Sequence, residues 1–180
     1  PKGTPLVCAC EKGRLQDVRV LIEGHDVEKT GISVDEMVSK EGTDRRGYFS
    51  ITPVQMAARH EQFEMVQFLV KTCTNKVDII GQTDSFGGRN SLHFAAWKSK
   101  KNVQTLQFLI DNYNGNIKTI INQKHEYGYT PLDYAYEFNY SPIKNEIVSL
   151  LRKYGGKANE YDKNGNKVEE GKGDLNDLLK

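Results

Sequence analysis

Four short stretches of this chain share one pattern, and that recurrence limits the possible folds more than any bulk property does. Thr4-Pro5-Leu6-Val7-Cys8-Ala9-Cys10-Glu11-Lys12-Gly13 is the first, and Thr52-Pro53-Val54-Gln55-Met56-Ala57-Ala58-Arg59-His60 the second. Asn90-Ser91-Leu92-His93-Phe94-Ala95-Ala96-Trp97 and Thr130-Pro131-Leu132-Asp133-Tyr134-Ala135-Tyr136-Glu137 complete the set. A second apolar run follows each of them, at 18–22, 66–70, 106–110 and 147–151. Thr before Pro suits a helix start, because the hydroxyl can cap and Pro has no N–H to lose in the first turn. The small residues Ala9, Ala57, Ala58, Ala95, Ala96 and Ala135 let a short inner helix approach its neighbours. The second runs have the spacing of an outer helix with one apolar face. One such pair cannot bury its own apolar face, so the units must stack, and at least three are needed.

The pattern resembles the ankyrin repeat, whose Thr-Pro-Leu-His-x-Ala signature recurs about every 33 residues. The first and fourth copies follow the signature well. The second and third are degenerate, and His93 is its only histidine. The copies start at 4, 52, 90 and 130, in steps of 48, 38 and 40, which leaves insertions of roughly 15, 5 and 7 residues. The stretch from Gly155 to Gly165 reads as the exit loop and hairpin of a further unit. The resemblance implies an all-α solenoid of stacked helix-turn-helix units with β-hairpin-like fingers, about four repeats plus a partial C-terminal cap. It places a repeat domain at 1–167, with repeats at about 1–29, 47–80, 84–122 and 125–159, an insertion at 25–49 and a partial hairpin at 160–167. Residues 168–180, ending in an Asp-capped Leu-rich stretch, are expected to form a C-terminal cap or a linker.

Composition narrows the function. Lys plus Arg is 25 and Asp plus Glu is 24, a net charge of +1, which argues against whole-chain attraction to nucleic acid or an acidic membrane. No apolar run is long enough to span a bilayer. Nothing at the N-terminus reads as a signal peptide, and a chain opening at Pro1 is expected to be a piece of something longer. Three cysteines, Cys8, Cys10 and Cys73, form no disulfide framework and fit a reducing intracellular compartment, cytoplasm or nucleus.

Departures from the repeat carry the functional expectations, because loops concentrate function on a fixed scaffold. In the first insertion, Ser33-Val34-Asp35-Glu36 reads as a capping box before a helical turn or two. The turn from Gly42 to Gly47 then delivers Tyr48 and Phe49 to an exposed finger. The third copy carries Trp97-Lys98-Ser99-Lys100-Lys101 between its helices, two residues longer than copies one and two. By register, Arg59, His60, Trp97, Lys98, Glu11, Lys12, Glu137 and Phe138 line the concave groove. Phe86, Tyr127 and Tyr129 sit on successive fingertips, where stiff aromatics offer contact area at low entropic cost. The fourth copy is swollen by three residues, and Ser141-Pro142 is expected to start its outer helix at Pro142.

No catalytic or cofactor chemistry is legible. His25, His60, His93 and His125 occupy unrelated register positions without zinc-ligand spacing. The run from Asp162 to Asn166 fails the calcium-loop register, and no phosphate loop or nucleophile motif appears. The resemblance implies a non-enzymatic, cofactor-free, monomeric scaffold. It would bind a partner protein through Tyr48, Phe49, Arg59, His60, Phe86, Trp97, Lys98, Tyr127, Tyr129 and Phe138. One alternative is a single-stranded or small oligonucleotide held by Trp97 with Lys98, Lys100 and Lys101. A regulatory repeat domain of a larger signalling protein is another. Asn122 and Asn159 fall at the hairpin-preceding position at which ankyrin proteins are sometimes hydroxylated.

Overall fold

The helices that the repeated motif demands are short, so each relies on its caps and neighbours. The computed structural model describes residues 4–43, 50–101, 103–159 and 166–167. In chain order the elements are α1 (Pro5–Glu11), α2 (Leu15–Glu23), α3 (Val27–Thr30), α4 (Val34–Ser39), β1 (Gly42–Thr43) and β2 (Ser50–Ile51). Then follow α5 (Pro53–Arg59), α6 (Phe63–Thr72), α7 (Lys76–Gly81), α8 (Ser91–Lys98), α9 (Gln104–Asn112), α10 (Ile117–Ile120), α11 (Pro131–Phe138) and α12 (Lys144–Lys153). The expected Tyr48 and Phe49 positions, the hairpin at 160–165 and the tail at 168–180 lie outside the described residues.

The four motifs form the inner helices α1, α5, α8 and α11, capped by Thr4, Thr52, Asn90 and Thr130. The four apolar runs form the outer helices α2, α6, α9 and α12. Isolated helices below about 12–15 residues are marginal in water, so burial must hold these together. Each inner helix packs on the next, α1 on α5, α5 on α8 and α8 on α11, and each also packs on its own outer helix. The Ala pairs allow this: Ala57, Ala58, Ala95, Ala96 and Ala135 are buried along the inner row. Val18 and Ile22, Val66 and Val70, Leu106 and Ile110, and Ile147 and Leu151 point inward from the outer row at one-turn spacing. The result is a stacked helical solenoid, as the motif implies.

A second device joins the units. The third residue of an inner helix caps its own helix and reaches the following unit. Gln55 Oε1 accepts from Thr52 N at 2.8 Å, while its Nε2 donates to Gln82 O at 2.7 Å and to Arg89 O at 3.2 Å. The His93 ring accepts from Asn90 N at Nδ1 and donates from Nε2 to Tyr129 O, each at 3.2 Å. Asp133 accepts from Thr130 N at 2.8 Å and from Asn159 N at 2.9 Å. The equivalent residue of α1 is Val7, which cannot bridge. There β1 packs on α1, and a Cβ at Gly42 would lie 2.7 Å from Thr4 N, so only glycine fits.

The first insertion folds against the stack. Ser33 caps α4 by accepting from Glu36 N, and α4 packs on α5 and α7 with Val38 fully buried. Asp35 accepts from Thr74 N at 2.9 Å, Thr74 Oγ1 at 2.6 Å and Asn75 N at 2.8 Å, tying the insertion to the start of α7. Burial alone would raise its pKa, but these hydrogen bonds outweigh it and hold the carboxyl below its ordinary value. Gly42–Thr43 pairs antiparallel with Ser50–Ile51. Helices α7 and α10 are short elements within the connections that follow α6 and α9.

Two expectations for the fourth unit are overturned. Its outer helix begins at Lys144 and not at Pro142, because Asn139 Oδ1 accepts from Ser141 N and Lys144 N donates to Ser141 O, holding 141–143 in a turn. Its connection, 139–143, therefore exceeds the three-residue connections 12–14 and 60–62 by two residues and not three, matching 99–103.

Two stability predictions follow from buried polar groups. The finger before α8 is closed by Asp84, which accepts from Arg89 N at 2.6 Å and Arg89 Nε at 2.9 Å, with both side chains buried. Arg89→Met should cost about 3–5 kcal/mol in urea unfolding, because Asp84 is left buried without its partner. Adding Asp84→Asn should recover part of that loss. A single-variant cost below about 1 kcal/mol would contradict the role given to the pair.

His93 has no exposed surface, and burial depresses its pKa from 6.5 to about 3. The unfolded chain takes up a proton below its ordinary value while the folded chain does not, so stability is complete above that value and falls as pH drops towards 3. The loss from His93 should be about 2 kcal/mol between pH 7 and pH 5. His93→Gln, which copies Gln55, should flatten that part of the profile. Identical pH slopes for the two proteins would show that His93 is not the group responsible.

Candidate functional site: the aromatic face of the inner helices

Register along the inner helices places Glu11, Arg59, Trp97 and Glu137 in one row, and Lys12, His60, Lys98 and Phe138 in the next. These positions fall at or just after the C-terminal ends of α1, α5, α8 and α11. Trp97 is half-buried, and its ring meets Tyr134 edge-on at 6.2 Å and Phe138 at 6.2 Å. Phe138 in turn lies 5.0 Å from Tyr134 and 5.9 Å from Tyr129. Lys98 Nζ stands 3.9 Å from the centre of the Trp97 ring, and the Arg59 guanidinium 5.8 Å from it. Trp97, Tyr129 and Phe138 thus belong to one ring cluster, with Arg59 and Lys98 against its tryptophan.

The long connection after α8 is clamped from both sides. The Glu61 carboxylate accepts from Lys100 N and, at 3.1 Å, from Lys101 N. From the other side the Asn139 amide donates to Ala96 O at 2.8 Å and to Ser99 O at 3.0 Å. Glu61 holds a left-handed backbone, φ 55°, at the register position where Gly13 has φ 69°. A side chain there costs about 1 kcal/mol, and the cross-unit bonds of its carboxylate account for its presence. An open groove of about 430 Å³ runs beside this loop, lined by Trp97, Lys98, Lys100, Phe138 and residues 139–142.

The fingertip residues separate into two kinds. Phe86 is 58% exposed and Tyr127 75% exposed, on adjacent fingers joined by Glu126 N donating to Gly87 O at 2.9 Å. Tyr129 instead turns into the cluster, half-buried against His125, Tyr134 and Phe138. Only one of the two tyrosines on that finger is therefore displayed. His60 is exposed at the C-terminal end of α5.

Sequence reasoning missed Tyr134, His125 and Tyr140. Tyr134 sits at the centre of the cluster, 5.2 Å from His93 and 5.3 Å from His125. Burial is the main cause raising its pKa to about 12, so its hydroxyl stays protonated. Its register position holds Cys8, Met56 and Phe94 in the other units, and the large side chains of the later copies were the available signal. Tyr140 is 87% exposed at the groove. Asn122 links successive connections, its Nδ2 donating to Gly155 O at 3.0 Å and its Oδ1 accepting from Lys157 N at 2.7 Å. Among the described residues, no group of three or more His, Cys, Asp or Glu side chains is placed to hold a metal.

The family model for ankyrin repeats, three copies, matches residues 33–119. That span contains the motifs starting at 52 and 90, the two that depart most from the signature, and leaves those at 4 and 130 outside it. No curated protein matches the chain. Ankyrin repeats generally mediate protein–protein interactions and are typically non-catalytic. No helix among the described residues is long and apolar enough to cross a membrane. This match shows ankyrin repeats at residues 33–119, within the stacked helix pairs and their shared caps.

Proposed function

We propose that this chain is a non-enzymatic scaffold that binds a partner protein across the concave face formed by its inner helix ends and fingers. The observation that carries the reading is the partly buried Trp97–Tyr129–Phe138 cluster, together with the exposed rings of Phe86 and Tyr127 on the fingers. Contiguous exposed apolar surface marks an interaction site, and Trp, Tyr and Arg dominate binding hot spots. Arg59 and Lys98 supply polar contacts around the same tryptophan, and His60 extends the face towards the second unit. Tyr48 and Phe49 belong to the proposed site by their place in the first insertion.

The oligonucleotide alternative is weaker. Base stacking needs an open aromatic face, and Lys98 already stands over the Trp97 ring at 3.9 Å, with Arg59 also near it.

Affinity capture tests the proposal. A partner retained by the unaltered protein should be lost by the Trp97→Ala/Tyr127→Ala variant and kept by Glu146→Ala on the exposed side of α12. Titration of that partner should show Trp97→Ala alone weakening binding by about 2 kcal/mol or more, with an unchanged melting temperature. Equal binding by all three proteins would remove this face from the function.

A further inference from the structure

The connection after α8 is two residues longer than those after α1 and α5, and positive charge gathers where it leaves the helix. Lys98 and Arg59 both stand close to the Trp97 ring, and Lys100 follows in the clamped loop. Burial, then Arg59, then Lys100 hold the Lys98 pKa below its ordinary value, so three cations share one small region. Among the described residues no carboxylate pairs with the ammonium group of Lys98 or Lys100. Glu61, the acid that meets this loop, is taken up by two of its backbone N–H groups. The ammonium groups of Lys98 and Lys100, at the mouth of an open groove, thus have no carboxylate partner among the described residues, and a partner protein can supply one.

We propose that this corner takes one carboxylate of an extended acidic peptide segment, with a neighbouring apolar side chain of that segment seated in the groove between Trp97 and Phe138. The assignment rests on the scaffold reading above and goes beyond it by naming the occupant. Charge layout along the face decides between a peptide and a polyanion. In the register row of Trp97, the positions beyond Arg59 and Trp97 are Glu11 on one side and Glu137 on the other. Glu137 lies 3.6 Å from Lys167, so that end already holds its own counter-ion. A nucleic-acid strand needs cations along a track of phosphates, whereas here the positive charge is one patch bounded by acids. One carboxylate satisfies the patch, and the groove of about 430 Å³ has room for a side chain beside it.

Trp97 is the only tryptophan in the chain, so its emission reports binding directly. The probe is a positional-scanning library of acetylated decapeptides in which each position is fixed in turn as Glu, Gln, Lys or Leu. Pools with Glu at one position should bind more tightly than the matching Gln pools and shift Trp97 emission, with Leu preferred close by. Lys98→Gln should weaken the Glu pools about fivefold and leave the Leu preference in place. Lys98→Glu combined with Lys100→Glu should turn the preference from Glu to Lys, a reversal that a merely structural role would not give. Melting temperatures confirm that the variants fold. Glu and Gln pools binding equally, or a Glu preference unchanged by Lys98→Gln, would overturn the acidic occupant and leave the scaffold reading standing. Failure of every pool to bind would overturn both. Tighter binding of a short oligothymidylate than of the Glu pools, with steep salt dependence, would overturn both in favour of nucleic acid.

Discussion

From the second unit onward, the stack depends on a side chain at the third position of an inner helix that serves two units at once. Gln55, His93 and Asp133 each cap their own helix and also satisfy backbone groups of the following unit. These bonds are buried or part-buried, and leaving a buried group unpaired costs about 1–3 kcal/mol. A helix of seven or eight residues therefore gains its start and its neighbour from the same contact. Three different chemistries fill the position, an amide, an imidazole and a carboxylate. Each offers an acceptor to the cap, and then donates or accepts as the next unit requires.

With spacing fixed in this way, the ends of the inner helices become a regular row on which local departures act. Five-residue connections after α8 and α11 replace the three-residue turns after α1 and α5. The first of these is fastened by Glu61 before it and Asn139 after it. Fastening limits the entropy that the Trp97 loop loses when a partner docks, which is how preorganised surfaces gain affinity. The rigid finger closed by Asp84 and Arg89 does the same for Phe86.

Much of this was legible in the residues. The Thr-Pro caps, the Ala pairs and the one-turn spacing of the outer runs each have a local cause, so they reported the helices and their stacking directly. The extra length after Trp97 was visible by simple alignment. Orientation was not: Tyr127 and Tyr129 are two residues apart on one finger, yet one faces solvent and the other packs on Phe138. No local rule separates them, because the choice is made by rings arriving from α8 and α11. For the same reason His125 and His93, at unrelated register positions, end with ring centres 6.3 Å apart. The bridge from Asp35 to Thr74 and Asn75 joins residues too distant in sequence for any periodicity to show. The start of α12 was misplaced because Ser-Pro is a start signal only when the serine is free to cap, and Ser141 is already held by Asn139.

The sequence by itself determined the unit: which residues begin each helix, which face is apolar, and that one unit cannot stand alone. These follow from backbone hydrogen bonding and side-chain spacing within a few residues, so no neighbour is needed to read them. Tertiary structure decided which aromatics are displayed, where the cations gather around Trp97, and how the long loop is held. Each of those depends on contacts between units, where packing and unpaired charge are settled only once the helices have stacked.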